Sequence, residues 1–128
     1  MYIVTQELFE EIINDSIDSL PIKYISKLKN VAIVTADNPS QVQRKKLKLK
    51  NNQSLYGLYE GIPLTQRGSN YNLVLPDIIT LFKQPIENSV NDLNSLKEAI
   101  RLTLWHEIAH YFGLSHKQIH KLDGSDSH

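Results

Sequence analysis

The sequence predicts a single α/β (α+β) domain. Three observations predict it: an amphipathic amino-terminal helix, two short β-branched runs, and a long carboxy-terminal helix free of Gly and Pro until its end. The 128 residues lie inside the size range of one domain, and 41% are apolar, enough for a modest continuous core. No internal repeat, low-complexity segment or interdomain linker divides residues 1–128.

The first helix follows Thr5, a suitable N-cap. Phe9, Ile12, Ile13, Ile17 and Leu20 then recur at helical spacing until Pro21 closes the segment. PIKYISKL adds a short helical turn, and VAIVTA at 31–36 reads as a strand bounded by Asn30 and Asp37. Residues 38–54 form a polar, exposed excursion in which Arg44, Lys45, Lys46, Lys48 and Lys50 crowd together. Gly57, Gly61, Pro63, Gly68 and Pro76 punctuate residues 55–76 into turns between short extended pieces, and DIITLFK at 77–83 is the clearest second strand. The last helix starts near Asn91, is reinforced by the box Ser95-x-x-Glu98, and ends at Gly113 as C′ residue.

Fourteen basic residues balance fourteen acidic ones, so no global field recruits nucleic acid or an anionic membrane, and a partner must be recognised by a site. With no cysteine, disulfides and thiolate zinc sites are excluded, and His and carboxylates are the strong ligands that remain. The amino terminus has no basic start or continuous apolar segment, and no stretch reaches the length of a membrane span, so the expectation is a cytoplasmic chain without membrane contact.

Chemistry concentrates in LTLWHEIAHYFGLSH. His106 and His110 are four residues apart, which puts two imidazoles on one helical face where they can share a metal ion. Glu107 lies about 100° round the helix from His106, where a carboxylate can take a proton from water activated by the metal. Gly113 can adopt positive φ and turn the chain back, bringing His116 as third ligand of a Zn2+ site. Leu102, Trp105, Ala109 and Phe112 are expected to form the stripe that anchors this helix to the core. The simpler alternative is a pair of partly buried helical histidines with Glu107 in a surface ion pair, but uncommitted imidazoles on a buried helix are costly to desolvate.

HEIAHYFGLSH matches HExxHxxGxxH, the zinc signature of the metzincins, but their Met-turn has no counterpart, since Met1 is the sole methionine. The chain resembles more closely the small bacterial zincin-like metallopeptidases, the minimal zincins. The resemblance rests on LYGLYEGIPLTQRGSNY, LPDIITLFKQPIE and RLTLWHEIAHYFG and covers roughly residues 55 to 116. It implies a compact sheet packed on the active-site helix, with the strand Asp77 to Lys83 lining the cleft and offering backbone groups to an extended peptide. That family usually carries an acidic residue where His116 stands.

The expected function is therefore zinc-dependent hydrolysis of a peptide or protein substrate, with Glu107 as general base and His106, His110 and His116 as ligands. Two alternatives stand beside it. The histidine spacing i, i+4, i+10 also resembles a family of bacterial metal-dependent endoribonucleases, although Glu107 and LYEGIPLTQRGS do not fit that pattern. A zinc-containing protein-binding module with weak catalysis is the other. His120 competes for the third ligand position, and His128 is terminal. Tyr59, Arg67 and Tyr71 are candidate oxyanion partners and Glu60 a candidate support for an imidazole, each with turn packing as the simpler role.

Overall fold

Helix α1, Gln6–Ser19, begins where the Thr5 hydroxyl accepts the Leu8 amide and ends before Pro21. The structure, a computed structural model, describes residues 1–49, 55–61, 76–114 and 117. The other elements are α2 (Ile22–Ile25), β1 (Val31–Ala36), α3 (Gln41–Lys46), β2 (Gly57–Glu60), β3 (Asp77–Phe82), α4 (Lys83–Asn88) and α5 (Leu93–Tyr111). This is the expected α+β architecture, with a small mixed sheet packed on a long helix.

The sheet order is β1-β3-β2, with β1 parallel and β2 antiparallel to β3. Side chains alternate across a pleated strand. The row Ile33, Ile79 and Tyr59, which the pairing aligns, faces the core beneath α5. Against it stand Phe9, Ile12 and Ile13 from α1 and Leu96, Ile100, Leu104 and Ile108 from α5. Fully burying one such side chain is worth about 1.5–3 kcal/mol, so packing rather than helix propensity fixes the position of α5.

The carboxy-terminal helix departs from the expected capping. Asp92 is the N-cap, its carboxylate accepting the Ser95 amide at 2.7 Å, so Ser95 is the third helical residue. Glu98 is not its box partner. It pairs instead with Arg101 at 2.6 Å on the solvent side. An ionised Asp does what Ser would do and adds favourable charge at the positive helix end. The other end behaves as expected: Gly113 has φ 71°, its N–H donates to the His110 carbonyl, and the Leu114 N–H donates to the Ala109 carbonyl. This is the paired bonding of a Schellman motif.

Two helices lie where none was expected. Within the polar excursion, Ser40 and Gln43 form a reciprocal capping box that starts α3. After β3, KQPIEN forms α4, with Pro85 in its first turn, where its missing N–H has no helical partner to lose. Helix α4 also fixes the amino terminus. The Glu87 carboxylate accepts the Val4 amide at 2.8 Å and Lys83 Nζ at 2.9 Å, while Lys83 Nζ also donates to the Val4 carbonyl. The Tyr2 amide donates to the Glu87 carbonyl. No helix among the described residues is long and apolar enough to cross a membrane.

Candidate active site

One face of α5 stays out of the core. Leu102, Thr103, His106, Glu107 and His110 line a cleft of about 540 Å³, opposite Leu55, Tyr56, Gly57, Leu58 and Tyr59 and beside Leu47. Leu102 was expected on the anchoring stripe, but it stands four residues before His106 and therefore shares its face. The anchoring residues include Leu96, Ile100, Leu104, Trp105, Ile108 and Ala109. A second groove of about 230 Å³, between α1 and α5, carries the Glu98–Arg101 ion pair and no histidine.

The strand along the cleft is β2, not the expected Asp77 to Lys83 segment. β3 is central, and its backbone groups are paired to strands on both sides. An extended chain can be added only at an edge. β2 has such an edge among the described residues, and it lies extremely close to α5. A Cβ on Gly57 would meet Thr103 Cγ2 at 2.7 Å and Glu107 Cγ at 3.2 Å. Glycine thus lets the edge strand close over the Glu107 side chain, a role that its place in a Gly-rich segment does not distinguish from an ordinary turn.

His106 and His110 have ring centroids 4.8 Å apart at 74°. The helix therefore brings the two expected imidazoles side by side. Glu107 is only 6% exposed, which removes the alternative of a surface ion pair. Its Oε1 lies 3.1 Å from His110 Nδ1. This hydrogen bond holds the His110 pKa above its ordinary 6.5, against the opposing effect of burial and with added help from the carboxylate charge. With Nδ1–H donating to the carboxylate, the lone pair of neutral His110 resides on Nε2, the tautomer that suits a metal ligand.

The donor chemistry fits two ligand positions of a zinc ion: two imidazoles from successive turns, with a carboxylate orienting one of them. His116, the expected third ligand, and the alternative His120 lie outside the described residues. Among the described residues no group of three His or carboxylate side chains is placed to hold a metal. Tyr59 lines the cleft, but its hydroxyl donates to Asp77 Oδ2 at 2.7 Å. Glu60 accepts from Gln43 Nε2 at 3.1 Å and does not reach an imidazole. Arg67, Tyr71 and His128 lie outside the described residues.

A model of the zincin-like metallopeptidase family matches residues 28–125. The chain belongs to that family. Membership points to a zinc metallohydrolase. No curated protein matches the chain. Among solved structures, a conserved hypothetical protein from Thermo thermophilus is similar at 18% identity and a TM-score of 0.57, over 95% of this chain and 100% of that one. At that identity the likeness concerns the fold alone.

Proposed function

We propose that the protein is a zinc metallopeptidase in which His106, His110 and His116 hold the metal and Glu107 is the general base. The observation that carries this reading is the buried Glu107 carboxylate between the β2 edge and His110, on the wall of a cleft that also contains His106. Zinc, when bound, supplies Lewis acidity toward a carbonyl and lowers the pKa of water. Glu107 takes the proton from the attacking water and delivers it to the leaving amine, so that one carboxylate serves both half-steps.

The β2 edge suits an extended polypeptide, because backbone hydrogen bonds to an edge strand recognise any peptide regardless of sequence. Leu47, Leu55, Leu58 and Leu102 add apolar wall to the same cleft, a surface suited to the side chains of a bound peptide. The expected consequence is peptide turnover that requires Glu107. Glu107→Gln is predicted to keep its zinc and lose about 10²- to 10⁴-fold in kcat toward an unstructured peptide. Full turnover by the zinc-bound variant would contradict the assignment. Cleavage of an RNA oligomer with no peptide turnover would contradict the substrate class.

A further inference from the structure

The basic run at residues 44–48 is unused by the proposed reaction, yet the fold carries it to the cleft. Leu47, directly after α3, lines both the cleft with the imidazoles and a smaller groove of about 160 Å³ that continues it. Leu58 and Tyr59 are also shared by the two, and the far end of the groove is lined by Gln43, Lys46, Glu60 and Gly61. The path from Glu107 thus follows β2 from Gly57 to Gly61. At strand rise that is ~13 Å, or three to four residues of an extended ligand.

The exposed charges at the end of α3, beside this path, are basic. Arg44, Lys45 and Lys46 occupy the last turn of α3, and Lys48 follows it. Lys45, Lys46 and Lys48 are exposed and make no ion pair among the described residues. Glu60 is the acidic group in the groove, and Gln43 donates to its carboxylate. The opposite edge of the sheet reverses the pattern. There α1 runs beside β1, with Gln6 bonded to Thr35, and exposes Glu7, Glu10, Glu11, Asp15 and Asp18. The neutral net charge is thus unevenly spread, with an acidic exposed face of α1 beside β1 and a basic end of α3 beside the groove along β2.

We propose that the end of α3 is a specificity-determining rim. It selects extended polypeptides with an acidic side chain three to four residues from the reacting bond, on the side that runs past Leu58 toward Lys46. The inference rests on the peptidase reading for the identity of the reacting bond, but the rim acts on binding and needs no turnover. An RNA backbone would also meet the lysines. Polypeptide is favoured because the path is walled by Leu47, Leu58 and a strand edge, features that match side chains and backbone amides rather than phosphates.

The test is fluorescence anisotropy with the full chain, in native and Glu107→Gln forms. The probes are short unstructured peptides with a central leucine and either aspartates or lysines at one end, and an RNA oligomer of equal length. The acidic peptide is expected to bind about three- to fivefold tighter than the basic one at low salt, with the advantage shrinking as salt screens it. Lys46→Glu should invert the order. Lys97→Glu, with the same charge change in the separate groove between α1 and α5, should leave it standing. That pattern supports the rim even if neither form turns a peptide over, in which case the peptidase reading alone fails. Equal or absent binding of the two peptides, an order unmoved by Lys46→Glu, or tighter binding of RNA overturns the rim, and turnover requiring Glu107 can survive each of these.

Discussion

Two buried glutamates, each on a helix and each beside a base one turn away, have opposite surroundings. Glu87 on α4 is 3% exposed and accepts from the Val4 amide and the Lys83 ammonium, which also donates to the Val4 carbonyl. Glu107 on α5 is 6% exposed, and its contact among the described residues is with His110, a side chain 38% exposed that can itself give up its proton. The first carboxylate is held by fixed donors and has no opening to solvent chemistry. The second lines a cleft and accepts from an imidazole, a group able to exchange its proton. Burial alone therefore does not mark a functional carboxylate; the kind of partner does.

The contrast is sharpest in what each substitution removes. Glu87→Ala strands a nearly buried ammonium and a backbone N–H, and breaking such a pair costs about 3–5 kcal/mol. Urea denaturation should show that loss, while zinc affinity measured under folding conditions stays as it was. A variant of Glu87 that kept native stability would end the distinction between the two sites. Glu107→Gln should do the reverse, sparing stability and removing turnover.

Gly57→Ala comes next in size. The added methyl meets Thr103 and Glu107 and forces β2 away from α5, an overpacking that costs about 1–3 kcal/mol. Its effect on kcat should exceed that of an equally destabilising change in α1, such as Ile13→Val, measured at the same fraction folded. Equal kinetic losses would mean that the closeness of β2 to Glu107 serves packing alone.

The smallest expected effect is a pH dependence of the metal-free protein. The folded-state pKa of His110 is raised, so its contribution to stability is fully present below the unfolded value near 6.5 and is lost as pH rises through the folded value. Zinc needs the deprotonated ring, so its affinity should climb over that same window. NMR titration of the imidazoles should place the His110 pKa above its ordinary value in the native chain and bring it down in Glu107→Gln. A His110 pKa unaffected by that substitution would remove the hydrogen bond from the account.

The sequence carried the elements whose signal is local. Thr5 and Pro21 bracket α1, VAIVTA is β1 residue for residue, and Gly113 takes the positive φ that ends α5. The helical register of His106 and His110 was legible for the same reason, since i, i+4 spacing needs no tertiary information. What escaped was either weak or long-range. Ser40 and Gln43 form a capping box within a run of polar and basic residues that looks like loop, and Pro85 disguises α4 by standing at one of the few helical positions that tolerate it. Sheet order was beyond reach. The apolar run of β3 announces a strand, but only pairing reveals that it is central and that Gly57–Glu60 forms the edge beside the imidazoles. The phase of α5 was misread at Leu102 because an apolar residue was assigned to the core without allowing for an apolar cleft.

The most direct test of the central claim is the zinc content of the purified, untagged protein by elemental analysis, beside His106→Ala, His110→Ala and His116→Ala. The account predicts about one zinc per native chain, a full loss in the first two variants, and a loss or severe weakening in the third. A native chain that takes up no zinc even when it is supplied, or that keeps it after His110→Ala, would contradict the assignment of this helix as the metal site.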